Sequence, residues 1–197
     1  MNVSAFVNIL NQFDEKIFSA VQKLFSYAPI FKPFFLFFTF IGEKGWLFFL
    51  VAAIFFSTKK YRPQGRQIFL SLVLAGILSN LILKVLIARE RPFNNLSSQY
   101  YSVWRCGGFP FEDGFSCPSG HTAAATAFFV SLLLSFKKPS YIALAVIPVF
   151  MGISRIYLVA HYPSDVVLSF FVGTASAVSI HVYMLISTRK KAQKMGL

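Results

Sequence analysis

The chain has 197 residues, is 56% hydrophobic and has a mean hydropathy of +0.62, so it carries more apolar sequence than a soluble domain of this length can hide. Only 13% of its residues are charged, against roughly a quarter in soluble proteins. The formal charge of +12 would suit a nucleic-acid partner, but the basic residues flank hydrophobic runs instead of gathering on a polar face. That charge reads as topogenic, at a membrane surface, and no nucleic acid is expected.

In chain order, residues 5–26 read as an amphipathic helix lying in or near an interface. Phe6, Ile9, Leu10, Phe13, Ile17, Phe18, Val21 and Leu24 form its apolar side. Asn8, Asn11, Asp14, Glu15 and Lys16 interrupt any apolar core there, so this segment is not a cleavable signal peptide. Six hydrophobic segments follow, near 28–42, 44–57, 66–88, 119–136, 140–158 and 164–187. They lack the period-2 alternation of barrel strands, which leaves helices. The expected fold is an all-α polytopic membrane bundle of about six transmembrane helices plus the N-terminal interfacial helix. The first two segments are short for spans of ~20 residues and are parted only by Gly42-Glu43-Lys44-Gly45. The linkers are tight apart from the basic connection near 57–66, so a single domain over 1–197 is predicted. The 93–117 connection is the exception, polar and aromatic, and of a length that usually serves a function.

If the segments alternate, the ends at 42–45, 88–118 and 158–164 share one face. Both termini, the 57–66 connection and the 137–139 turn share the other. The second face holds most of the lysines and arginines: Lys16, Lys23, Lys32, Lys59, Lys60, Arg62, Arg66, Lys137, Lys138, Arg189, Lys190, Lys191 and Lys194. The positive-inside rule makes it cytoplasmic, with both termini. Cys106 and Cys117 both fall in the outward connection; a disulfide tying it down and a pair of free thiols are both open.

Three stretches on the outward face hold the chemistry: Lys84-x6-Arg91-Pro92, Pro118-Ser119-Gly120-His121, and Ser154-Arg155-x5-His161-x3-Asp165. Each ends a hydrophobic run, where a charged side chain is costly without a partner or ligand. Three cations, two imidazoles, a hydroxyl and a carboxylate suit a phosphate ester. Lys84, Arg91 and Arg155 can neutralise the dianion, the arginine forks bidentately. Ser119 and the backbone at Gly120 add donors at a helix start, where free N–H groups favour anions. Asp165 can orient the His161 imidazole and raise its basicity. Asp165 is the only acid within the motifs, and they hold no His-x-x-His pair or acidic dyad. Taken singly, Lys84 would read as a snorkelling anchor and either histidine as a packed one; three motifs in register outweigh that. Arg89 reads as a surface partner of Glu90 or a further phosphate ligand, Ser154 as a packing or helical-turn residue or a ligand contact, and His181 as a structural histidine.

These stretches resemble the three-part signature of the type 2 phosphatidic acid phosphatase superfamily, the lipid phosphate phosphatases, and match it at every signature position. The resemblance covers about residues 66–187. It implies His161 as nucleophile forming a phosphohistidine, Asp165 as its activator and His121 as the acid that protonates the leaving group. Lys84, Arg91, Ser119, Gly120 and Arg155 are implied as phosphate ligands, with no metal and no cofactor. The expected activity is removal of a terminal phosphate from a membrane lipid phosphate or pyrophosphate. Undecaprenyl pyrophosphate, phosphatidylglycerol phosphate, phosphatidic acid and lipid A phosphates are the candidates. The expected setting is a bacterial inner membrane with the site on its periplasmic or extracellular face; the partners are the lipid substrate and the bilayer, without an obligatory protein. Rivals are a lipid-to-lipid phosphotransferase on the same fold and a lipid-phosphate transporter. A vanadate haloperoxidase, soluble in kind, is disfavoured by the apolar spans.

Overall fold

The computed structural model describes residues 3–25 and 30–194. Among them there are helices and connecting turns and no strand: α1 (Val3–Phe25), α2 (Phe31–Gly42), α3 (Trp46–Ser57), α4 (Arg62–Gly76), α5 (Lys84–Ile87), α6 (Gln99–Gly107), α7 (Gly120–Phe136), α8 (Val146–Tyr157) and α9 (Pro163–Lys194). A π turn, Ile77–Leu83, joins α4 to α5, so residues 62–87 form one long rod. Four helical stretches are long and apolar enough to cross a membrane: Phe31–Ser57, Lys59–Asn94, Pro139–Tyr157 and Pro163–Lys191; α7 is a shorter apolar helix. The protein is an integral membrane protein, as its composition requires.

The first of those stretches is not straight. Lys44 (φ 48°) and Gly45 (φ 69°) are both left-handed and break the axis between α2 and α3. Glycine takes that conformation without the Cβ clash, which makes Gly45 the natural pivot.

Packing defines two ends. At one, Glu43 stands beside His121 and Asn80 meets Gly120. At the other, Phe136 packs on Phe55, Tyr61 and Tyr141, and Gly65 approaches the backbone of Phe56. The rod of α4 and α5, with α3, α7, α8 and α9, runs between these ends. The interior divides accordingly into a cluster around Phe48, Ile68, Leu72, Phe128 and Met151, and another around Phe18, Phe35, Tyr157 and Val166.

Helices α1 and α2 depart from the expected alternation. The ammonium of Lys32, in the first turn of α2, donates to the Gly107 carbonyl at 2.8 Å, while the other end of α2 leads to Glu43 beside His121. Both ends of α2 therefore lie at the site end. Twelve residues rise only ~18 Å, too little for a hydrocarbon core of ~30 Å. α1 docks at the same end: Gln22 donates to the Tyr157 carbonyl at 2.9 Å and Phe18 stacks on Tyr100 at 4.4 Å. The N-terminal helix thus lies on the site face, opposite to the end of α9, and not on the same face as the expectation of two co-located termini required. Met1, Asn2 and residues 195–197 lie outside the described residues, as does the side chain of Phe6. Of the apolar face assigned to α1, Phe18 is buried and Ile17 and Val21 are half-buried, whereas Ile9, Phe13 and Leu24 are exposed.

With Lys16, Lys23 and Lys32 at the site end, the asymmetry in Lys and Arg is weaker than expected; what still separates the two ends is the placement of the acids. Lys59, Lys60, Arg62, Arg66, Lys137, Lys138, Arg189, Lys190 and Lys191 belong to the far end. All seven acids of the chain (Asp14, Glu15, Glu43, Glu90, Glu112, Asp113 and Asp165) belong to the site end.

The 93–117 connection is partly helical. Ser98 caps α6, its hydroxyl accepting from the Tyr101 N–H at 3.2 Å, and Gly108 ends it in the left-handed region at φ 55°. Residues 109–117 then return across the site end.

Candidate active site

Each motif is placed by a helix terminus. Ala88 is left-handed (φ 47°) and ends α5, so that Arg89 and Arg91 leave the rod in extended chain. Arg91 is buried and pins the returning loop: Nε donates to the Gly114 carbonyl at 3.0 Å and Nη2 to that of Asp113 at 2.9 Å. α8 ends where the Arg155 carbonyl accepts from both Ala160 and His161 N–H, at 3.0 and 3.2 Å. Val159 within this reversal is left-handed at φ 59°, an uncommon conformation for a β-branched residue, of the kind that persists where surrounding structure enforces it. The reversal sends His161 into the bundle, 2% exposed. Tyr162-Pro163-Ser164-Asp165 then opens α9: proline takes the first helical position, and the Asp165 Oδ2 reaches back to the Tyr162 N–H at 3.0 Å.

Lys84, Arg91, Gly120, His121 and His161 line one cavity of about 820 Å³, together with Glu43, Lys44, Asn80, Glu112 and Asp113. Its remaining wall is apolar, from Phe49 of α3 and Leu72, Val73, Ile77 and Leu81 of the rod. The Lys84 ammonium has no hydrogen-bond or ion-pair partner among the described residues. A Cβ at Gly120 would stand 2.6 Å from Asn80 Oδ1, so glycine is what admits Asn80 to this wall.

Two signature residues sit behind the cavity. Ser119 is fully buried as the cap of α7, accepting from the Thr122 N–H (3.4 Å) and hydroxyl (3.1 Å); its own N–H goes to Ser169 at 2.7 Å. It does not point at a ligand as the phosphate-donor reading expected. Ser154 bonds the Met151 carbonyl at 2.7 Å, a packing role. Arg155 lies just deeper than the lining residues, its Nη1 donating to the Thr39 hydroxyl at 3.0 Å.

Glu112 is the residue that sequence reasoning missed. Its carboxylate lies between the two arginine forks, one oxygen paired with Arg155 Nη2 and the other 3.0 Å from Arg91 Nη1. A carboxylate gripped by two guanidinium groups marks where a phosphate's oxygens would be gripped. Burial alone would raise the Glu112 carboxyl, but Arg155, with His121 and Arg91, outweighs it and holds the group at about 2. The constellation therefore contains more acid than Asp165: Glu112 and, as below, Asp14 join it. The signal available in the sequence was only that the 93–117 connection was long and polar; nothing local distinguished Glu112 from Asp113.

His161 has its Nε2 3.5 Å from Arg91 Nη1, on the cavity side, and its Nδ1 3.9 Å from Asp165 Oδ2. The second separation exceeds a hydrogen bond, and the buried Nδ1 has no partner among the described residues. Burial, then the charges of Arg155, Arg91 and Lys84, keep this imidazole well below its ordinary value, hence neutral. The Asp165 carboxylate is held by Arg89 Nη1 (2.7 Å), the Ser116 hydroxyl (2.8 Å) and the Tyr162 N–H. Arg89 thus pairs with Asp14 and Asp165, both at 2.7 Å, and not with Glu90. His121 is 15% exposed; its Nε2 lies 3.6 Å from Glu43 and has no hydrogen bond.

The cysteines are not bridged. Cys106 is exposed on α6, whereas Cys117 is buried, its thiol pushed up to about 12 by burial and then by Asp165. Tyr100 is a core residue between Phe18 and Tyr162. His181 is structural, with Nδ1 3.0 Å from Gln67 Oε1.

A model of the PAP2 superfamily matches residues 64–189, more than half of the chain. Lipid A 1-phosphatase of Rhizobium johnstonii is 31% identical over 152 residues, which are 67% of this chain and 59% of that protein. Undecaprenyl-diphosphatase of Sulfolobus acidocaldarius is 30% identical over 63% of this chain and 57% of its own length. The chain therefore spans somewhat under two thirds of these relatives. The crystal structure of a transmembrane PAP2-type phosphatidylglycerolphosphate phosphatase from Bacillus subtilis superposes with a TM-score of 0.68, at 25% identity, covering 89% of this chain and 86% of that one.

Proposed function

Because this chain belongs to the PAP2 superfamily, we propose that the cavity between Arg91, Arg155 and His161 hydrolyses the terminal phosphate of a membrane lipid. The observation that carries this reading is the gathering of two arginine forks, Lys84 and the imidazoles of His121 and His161 about one cavity whose other wall is apolar, with Asp165 behind His161. The cations match a phosphate dianion, and the wall of α3 and the rod accepts the tail.

In this scheme Arg91, Arg155 and Lys84 hold the phosphoryl oxygens in the place where Glu112 now lies. His161 Nε2, the ring nitrogen facing the arginines, attacks phosphorus while Nδ1–H turns to Asp165. The P–O bond to the lipid breaks and His121, which enters the step as imidazolium taken up with the phosphate dianion, gives its proton to the leaving oxygen. Water then attacks the phosphohistidine, His121 takes a proton from it, the P–N bond breaks and inorganic phosphate leaves. The His161–Asp165 gap closes by under 1 Å of side-chain movement, the kind of tightening that ligand binding brings to catalytic pairs.

The basic stretches at 59–66, 137–138 and 189–191, with no acid among them, support a reading in which that end is cytoplasmic and the site lies at the outer surface of a bacterial inner membrane. The end of α9 is then cytoplasmic and α1 lies on the outer leaflet. The relatives' names define the panel for the test: lipid A 1-phosphate, undecaprenyl diphosphate and phosphatidylglycerophosphate, with phosphatidic acid added. Purified protein in detergent should release phosphate from at least one, be inhibited by vanadate, and lose at least about a thousandfold in rate on His161→Gln. Hydrolysis that survives that substitution would remove His161 as nucleophile. Phosphate release that depends on an added lipid alcohol would favour the phosphotransferase.

A further inference from the structure

Asp14 belongs to α1, outside the region matched by the family model, and the scheme above gives it no task. Yet it is only 1% exposed on a helix whose neighbours Asn11, Glu15 and Lys16 are exposed. Its bonds all reach the start of α9 and the end of α5. Oδ1 accepts from the Ser164 N–H at 2.7 Å, and Oδ2 accepts from the Ser164 hydroxyl at 2.8 Å and from Arg89 Nη2 at 2.7 Å. Arg89 reaches with its other arm, Nη1, to Asp165 Oδ1 at 2.7 Å. The guanidinium also lies over the Tyr162 ring, 3.7 Å from its centre.

From this arrangement we infer that Asp14 is a positioning residue for the His161–Asp165 pair, acting through Arg89 and the first turn of α9. The inference rests on reading His161 as the nucleophile. A planar guanidinium tied by one arm to Asp14 and laid on Tyr162 cannot swing, so the Asp165 oxygen it holds is fixed. The other oxygen, Oδ2, is thereby presented to His161 Nδ1. Charge follows the same logic. Asp14 and Arg89 neutralise each other, which leaves the negative charge of Asp165 to accept the imidazole N–H. Without Asp14, Arg89 has Asp165 as its sole anion, and the carboxylate becomes a poorer acceptor for His161. Helix α1 is then part of the catalytic apparatus and more than an anchor.

The test uses the full chain in detergent. Asp14→Asn keeps the shape and removes the charge: kcat should fall about 10–100-fold, the usual range for a group that orients a ligand or a catalytic side chain. KM should stay within about twofold. Asp14→Glu should recover part of the loss, and Glu15→Gln, one residue away and exposed, should match the wild type. A second readout does not need turnover: the ring ¹⁵N signals of His161, identified by their loss in His161→Gln, should shift in Asp14→Asn. Wild-type kcat with unmoved His161 signals overturns the inference, as does a fall in melting temperature with kcat unchanged. If the wild type releases no phosphate from any lipid of the panel, the nucleophile reading fails, while the ring signals still decide whether Asp14 sets the imidazole.

Discussion

Around Asp165 the polar groups are already partnered inside the protein. Asp14, Arg89, Ser116, Ser164 and the Tyr162 N–H form a closed set whose separations run from 2.7 to 3.0 Å. A few ångströms away, on the cavity side of His161, the reverse holds. Among the described residues Arg155 Nε and His121 Nε2 are buried without hydrogen-bond partners, Lys84 faces open space, and the two arginine forks are occupied by a carboxylate borrowed from a loop. One half of the site spends its interactions on geometry; the other keeps them for a ligand. An arginine two positions along the chain can therefore change its task entirely: Arg89 is locked between two acids, Arg91 is shared between a loop and the cavity.

This contrast can be broken most severely at Arg155. Arg155→Ala should reduce phosphate release by about three orders of magnitude, because a developing phosphoryl charge loses one of its two forks. Arg155→Lys should still cost about a hundredfold, since an ammonium cannot grip bidentately; equal rates for Lys and Arg would mean that charge alone suffices. Next in size, His121→Gln should slow release about a hundredfold from a lipid alkoxide but far less from an activated aryl phosphate, whose leaving group needs no proton. A uniform loss on both substrates would deny His121 the role of acid.

The borrowed carboxylate offers a finer test. Glu112→Gln frees both forks, and vanadate or phosphate should bind about tenfold more tightly; weaker binding would show that Glu112 assists the anion instead of standing in its place. The pH dependence has a definite sign. A carboxyl held at about 2 in the folded state, against 4.5 ordinarily, stabilises the fold fully above 4.5 and loses that contribution as pH falls toward 2. The difference in melting temperature between wild type and Glu112→Gln should thus be constant from neutrality to about pH 5 and shrink below it. Smallest of all, Cys106→Ser or added reductant should leave both activity and melting temperature unchanged, since the exposed thiol holds nothing in place. A large loss would reinstate a bridge.

Much of this was legible in the residues because it depends on local rules. Apolar runs must be helical in lipid, which dictated α3, the rod of α4 and α5, α7, α8 and α9. Motifs at the ends of those runs had to meet on one face, so Lys84, Arg91, His121, Arg155 and His161 could be placed together before any coordinates. The chain was less informative where partners lie far apart along it. Nothing near Asp14 says that it will meet Arg89, 75 positions away. Nothing in 109–115 says that Glu112 rather than Asp113 enters between the forks. The position of α2 was hidden for the same reason: its twelve mostly apolar residues look like half of a span, and only Lys32 on Gly107 and Glu43 beside His121 reveal that it stays at one end.

The amino-acid sequence by itself determined the membrane, the helices and the reactive groups, because hydrophobic period and helix-terminal chemistry act within a few residues. Tertiary structure alone decided which acid each arginine holds, that Ser119 turns away from the cavity, and on which face the first helix lies. Those outcomes depend on distances between groups 21 to 150 residues apart, and a Coulombic or hydrogen-bonded contact falls off over a few ångströms that no local pattern encodes.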